Sequence, residues 1–184
     1  MVNRDCGGYS AGGAENAEAY KQWIDGFSSG LKNHKAVVVL EPDALSDLDC
    51  LSEEAKQERL ELLRYAVNKM QQRNVYLYID AGNPGWIGAE EMANRLNQAG
   101  IEQARGFSLN VSNFFSTEHN IQYGKNISQL AGEKPFVIDT SRNGLGPTEN
   151  YEWCNPSGRA LGTESTGETN NSIVDAYLWI KVPG

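Results

Sequence analysis

Apolar positions along this chain switch between a helical period and a strand period. From Glu15 to Leu31 they recur as Tyr20, Ile24, Phe27 and Leu31, a spacing of three and four that predicts a helix with one buried face. A β-branched run follows: Ala36 to Glu41 (AVVVLE), closed by Pro42, predicts a buried strand. Ser52, with acids directly after it, is placed to cap a second helix whose apolar face reads Leu60, Leu63, Val67 and Met70. Val75 to Asp80 (VYLYID) predicts the next strand, ended by the turn sequence Ala81-Gly82-Asn83-Pro84-Gly85. Glu90 to Gln98 predicts a short helix through Met92 and Leu96, Gly106 to Asn110 a strand, His119 to Leu130 a weaker helix, and Phe136 to Asp139 a strand. Residues 140–172, rich in Gly, Asn, Ser and Thr, predict long loops before a last strand at Ala176 to Lys181.

Strands and helices alternating every 30 to 40 residues or so, roughly the length of a βαβ unit, imply an α/β fold with a parallel sheet. A doubly wound sheet and a (β/α) barrel are the two candidates. No glycine-rich phosphate loop follows the first strand, which disfavours a nucleotide-binding version. Both architectures put their chemistry at the C-terminal ends of the strands.

Composition narrows the function. The 184 residues suit one domain spanning 1–184 with a sizeable core. With 16 Lys plus Arg against 24 Asp plus Glu, the net charge is −8 and no basic stripe exists to neutralise phosphates, so nucleic acid is not an expected partner. A neutral substrate needs no such charge steering. Apolar runs such as Ala36 to Leu40 are far too short to span a bilayer. Met1-Val2-Asn3 opens without a charged or apolar leader, so any secretory leader is expected to be absent or removed. Cys6, Cys50 and Cys154 fit no zinc spacing, and their odd count leaves one without a partner in the chain; on count alone, three buried thiols of a cytosolic protein remain open.

Three predicted strands end in acids: Glu41 with Asp43 just beyond it, Asp80, and Asp139. In a parallel sheet these ends share one rim. Asp5, in the loop Asn3-Arg4-Asp5-Cys6-Gly7-Gly8, is a fourth candidate. Carboxyl groups that crowd each other and lose water have raised pKa values, as an acid catalyst near neutral pH requires. Clustered carboxylates also bind metals, but no Asp-x-Asp-x-Asp-Gly loop or His/Asp pairing supports that use. Trp23 on a helix and Trp179 in a strand are expected in the core. Trp86 and Trp153 sit in polar loops beside the rim, where an indole either pins its loop or offers a flat face to a sugar.

Six blocks then resemble, in order and spacing, the cellulases of glycoside hydrolase family 6. They are Asn3 to Gly8, Val38 to Asp43 (VVLEPD), Tyr78 to Gly82 (YIDAG), Ile138 to Gly144 (IDTSRNG), Glu152 to Arg159 (EWCNPSGR) and Asp175 to Lys181 (DAYLWIK). The resemblance covers the whole chain. It implies a distorted parallel (β/α) barrel and hydrolysis of β-1,4-glucan with inversion at the anomeric carbon. Asp43 matches the general acid, and Asp5 the neighbouring carboxylate that helps keep it protonated. Ser10 stands where a catalytic water is held, Asp80 matches a further acid of the cleft, Trp86 and Trp153 match sugar-stacking positions, and Lys181 matches a residue hydrogen-bonded to the glucan. Asn110, at its strand end, is counted with the substrate-binding residues. No metal or organic cofactor is implied. Cys6 and Cys50 match a family disulfide, pointing to an extracellular, secreted protein, expected to be monomeric.

Family members continue past Gly184 with an Asp proposed as remote base, a partner for Cys154, and carry a strand and a Tyr before Asn3, so the chain is expected to be a fragment incomplete at both ends. Asn83 stands where many relatives have His, a change expected to act on substrate binding. The compact stretch from Cys6 to Cys50 has no long loop to roof the cleft, which favours an endo-acting glucanase over a cellobiohydrolase. A non-catalytic glucan binder is the alternative of a different class. An aldolase-like barrel is a third, for which Lys181 is the one strand-end candidate.

Overall fold

Each β-branched run of the sequence forms a strand, and the strands align in one parallel sheet. The computed structural model describes residues 1–7 and 12–183, apart from the side chain of Asp5. The elements run α1 (Ala17–Gly30), β1 (Ala36–Leu40), α2 (Glu53–Lys69), β2 (Val75–Asp80), α3 (Ala89–Gln98), β3 (Gly106–Leu109), α4 (Thr117–Leu130), β4 (Phe136–Asp139) and β5 (Val174–Leu178). Helix starts are fixed locally. Asn16 accepts the Ala19 N–H at 2.9 Å, Ser52 Oγ the Ala55 N–H at 3.3 Å, and Ser116 Oγ the His119 N–H at 3.3 Å.

The five strands lie in the order β1-β2-β3-β4-β5, all parallel. A doubly wound sheet would reverse its strand order partway; this one never does, which is the winding of a (β/α) barrel. Strand alternation gives the sheet two faces. Val38, Leu40, Leu77, Ile79, Phe107, Leu109, Phe136 and Ile138 join the helices in one continuous core. The opposite face carries Tyr78, Asp80, Ser108, Val137 and Asp139.

The sheet curls around that second face. The Tyr78 hydroxyl on β2 donates to Asp175 Oδ2 on β5 at 2.7 Å, and Arg105 holds the same carboxylate at 2.8 Å through Nε and Nη2. In a flat sheet β2 and β5 would be three spacings, about 14 Å, apart, beyond the reach of a tyrosine. The five strands therefore form an arc of the expected distorted barrel.

Several expectations change. β5 starts and ends earlier than its apolar run, at Val174–Leu178, and β3 ends at Leu109. β1 is the sheet edge, so Val37 is exposed where a fully buried strand was expected. Trp23 and Trp179 are not core: Trp23 is 60% exposed and stacks on Phe27, while Trp179, just past β5, is 36% exposed and donates Nε1–H to Thr163 O at 2.8 Å. Periodicity places a residue on a face; only packing decides whether a neighbour covers it. Cys6 and Cys50 are disulfide-bonded with Cα atoms 5.9 Å apart, and Cys154 is free and exposed. Among the described residues no helix is long and apolar enough to cross a membrane.

Candidate functional site

The rim at the strand ends is built around Asp43. The chain leaves β1 through Glu41, Pro42 and Asp43, and both acids have left-handed backbones, with φ of 49° and 70°. Such a conformation is costly for non-glycine residues and persists only where neighbours enforce it. Here the enforcement is visible. Asp80 Oδ2, at the end of β2, accepts the Asp43 N–H at 3.0 Å. Arg59 from α2 donates to Ala44 O at 3.0 Å, and Arg95 from α3 to Leu45 O at 2.8 Å. Arg95 is itself held by Asp49 and Glu91, each at 2.8 Å. The backbone on both sides of the Asp43 side chain is thus pinned by buried polar groups.

Asp80 is buried and accepts two further hydrogen bonds, from Gly82 N at 3.1 Å and Ser108 Oγ at 3.1 Å. Burial pushes its carboxyl up to about 6, the charge of Asp139 adds to that, and the three donors act against it. The turn after it has no room for a side chain. Gly82 has φ of 65°, and a Cβ there would lie 2.5 Å from Ser46 Oγ and 3.1 Å from the Trp86 ring. Asn83 is buried in the same turn, its Oδ1 accepting the Gly85 N–H at 3.0 Å while its Nδ2 has no hydrogen-bond partner among the described residues.

Above these groups lies an open groove of about 770 Å³ whose lining includes Asp43, Asp47, Trp86, Arg142, Trp153 and Lys181. Trp86 is 46% exposed and Trp153 56% exposed, and both residues line the groove. Of the residues singled out in the sequence, Asp43, Trp86, Trp153 and Lys181 thus meet on one surface. Asp80 lies beneath it. Asn110 is wholly buried: Nδ2 donates to Asp139 O at 2.9 Å and Phe115 O at 3.2 Å, and Oδ1 accepts the Phe115 N–H at 3.1 Å. Its amide is spent on the backbone, so it shapes the loop after β3 and offers no group to the groove. Glu41 turns away to the Met1 ammonium at 3.5 Å. Ser10 and the side chain of Asp5 lie outside the described residues. Among the described residues no cluster of His, Cys, Asp and Glu is arranged to hold a metal ion.

Sequence reasoning passed over the arginines. Arg59 and Arg95 sit in helices where a charged residue reads as solvent-facing, and Arg142 sits in a loop motif. Arg142 is almost buried, 4.4 Å above the Phe114 ring, and burial lowers its pKa. Its Nη1 donates to Asn155 Oδ1 at 2.8 Å and its Nη2 to the carbonyl of Ser112. For Arg59 and Arg95 the signal that could have found them is an arginine on or next to a predicted apolar face, which must bring its own acceptors; Arg142, in a loop, carries no such signal.

A parallel strand arc in chain order, with acids and tryptophans gathered over its C-terminal ends, defines a (β/α)-barrel protein with its cleft on the rim. The profile of "Glycosyl hydrolases family 6" matches residues 1–184, and the chain belongs to that family. It is 47% identical to Endoglucanase 1 of Streptomyces halstedii, covering all of this chain and 58% of that protein. It is 46% identical to Endoglucanase A of Cellulomonas fimi, covering all of this chain and 40% of that protein. The solved endoglucanase Cel6 of Mycobacterium tuberculosis, in complex with a thio-linked methyl cellobiosyl cellobioside, superposes with a TM-score of 0.96 at 51% identity, over 99% of this chain and 63% of that one. The chain therefore spans 40% to 63% of the length of these relatives.

Proposed function

We propose that this chain is a single unit of a cellulase catalytic domain that hydrolyses internal β-1,4-glucosidic bonds of cellulose and related glucans with inversion. The observation that carries this reading is the placement of Asp43, on a pinned backbone, in an open groove that two exposed tryptophans also line. Trp86 and Trp153 stack on the apolar faces of glucose units, and Lys181 hydrogen-bonds their hydroxyls. Asp43 in its acid form protonates the glycosidic oxygen as the bond to the anomeric carbon breaks. A water molecule attacks that carbon from the opposite face, loses its proton to a base, and leaves the new hemiacetal inverted. Asp5 is assigned the role of keeping Asp43 protonated, and Ser10 that of holding a water. Asp80 and Asn110 serve from below by fixing the loops. The reading invokes no cofactor. The endoglucanase names of the relatives quoted support internal cleavage. The Cys6–Cys50 disulfide supports a secreted, extracellular protein, acting as a monomer.

The test is reducing-end release from carboxymethylcellulose by the chain and by its Asp43→Asn variant. Loss of a general acid is expected to lower the rate about 100-fold or more. Equal rates in both would remove Asp43 from the mechanism. Glucan binding without turnover in either would support a binding unit in place of an enzyme.

A further inference from the structure

We infer that Asp139 and Arg142 act together as positioning residues that grip Ser112 from both sides and thereby fix the loop after β3 relative to the groove segments that carry Lys181 and Trp153. The inference rests on the reading of that groove as a glucan site.

Ser112 lies in the loop after β3 with a left-handed backbone, φ 61°, and lines the groove. Its N–H donates to Asp139 Oδ2 at 2.9 Å. Its carbonyl accepts from Arg142 Nη2, which also lies 3.3 Å from its hydroxyl. One strained residue is thus held at its donor by a buried anion and at its acceptor by a nearly buried cation. Each of the two grips also reaches a second segment. Asp139 Oδ2 accepts the Lys181 N–H at 3.1 Å, and Oδ1 accepts the Ser141 N–H at 2.9 Å. Arg142 Nη1 donates to Asn155 Oδ1, two residues from Trp153.

Lys181 and Trp153 thereby share one anchor, although they come from different loops. Neither grip needs to touch the glucan to matter. A carboxylate accepting three backbone N–H groups leaves no place for an amide, because one of its two oxygen positions would become a donor facing a donor. A lysine in place of Arg142 could not reach Asn155 and Ser112 at once, since the fork is what spans them.

The experiment uses Asp139→Asn, Arg142→Gln and the double variant. Two readouts are taken: binding of cellotetraose by titration calorimetry, and amide hydrogen exchange by NMR at Ser112 and Lys181. Each single variant is expected to weaken cellotetraose binding about tenfold, the scale of one lost hydrogen bond to a charged group. The double variant should bind no worse than the weaker single, because both act on one residue. Asp139→Asn is expected to speed exchange at the Ser112 and Lys181 amides while leaving the amides of β2 and β3 unchanged. Wild-type binding equalled by both single variants would overturn the inference and leave the functional reading standing. Wild-type chain that binds no cellotetraose would sink the functional reading; the exchange data then decide the grip alone, and unchanged exchange at both amides overturns it. Should Asp139→Asn fail to fold, Arg142→Gln carries the same test through the Ser112 amide, and unchanged exchange and binding there overturn the proposal.

Discussion

The buried carboxyl of Asp80 makes a prediction whose sign is unusual for an aspartate. Its pKa is raised from the ordinary 3.8 to about 6, with burial as the main cause. The folded state therefore favours the neutral acid, and the stability contributed by that preference is fully present below pH 4 and lost as pH rises through 6. About two units at 1.36 kcal/mol each amount to about 3 kcal/mol between pH 4 and pH 7. Asp80→Asn stays neutral throughout and keeps the geometry. Its amide oxygen can accept the N–H groups of Asp43 and Gly82, and its NH2 can donate to Ser108 Oγ, whose hydroxyl turns round. Urea unfolding of wild type and variant at pH 4, 5, 6 and 7 measures the effect. The two should be nearly equally stable at pH 4, and the variant should gain about 3 kcal/mol on the wild type by pH 7. Carboxylates held low by cations, such as Asp49 beside Arg95, are common to both and cancel in the difference. A difference that stays constant from pH 4 to pH 7 would refute the reasoning, because Asp80 would then titrate alike in the folded and unfolded chains.

Gly124→Ala in α4 should destabilise by about 1–3 kcal/mol by chemical denaturation, reversing the usual gain from replacing a helical glycine, since a Cβ there would lie 2.4 Å from the buried Phe136 ring. Reduction of the Cys6–Cys50 disulfide should lower stability by about 4 kcal/mol in the loop-entropy account, measured as a shift in urea midpoint with and without reductant. Arg95→Ala leaves the Leu45 carbonyl without its donor and should cost about 1–3 kcal/mol in unfolding experiments; the exposed Asp49 it also loses adds little. Because that carbonyl lies two residues past Asp43, the variant should also lower the rate of carboxymethylcellulose hydrolysis at saturating substrate.

What the sequence determined by itself was local or carried by type. β-branched runs, caps and spacings of three and four fix the strands and helices to within a few residues, because those signals act between neighbours in the chain. Strand-end acids were legible for the same reason: a run that stops at Asp80 or Asp139 leaves its acid on the rim. The six motif blocks were legible as a set, and they carried the family. The periodic pattern left the winding of the sheet open, since alternating strands and helices are compatible with either order; the motif blocks implied the barrel, and the strand pairing shows it. Only the tertiary structure decided that Trp23 and Trp179 lie outside the core, because exposure depends on what a distant segment covers. Three rim acids that look alike in sequence part company in the fold: Asp43 faces the groove, while Asp80 and Asp139 are buried under backbone N–H groups. Those donors come from residues up to 42 positions away. Which distant donors reach a buried carboxyl group is set by the fold, and no local pattern encodes it.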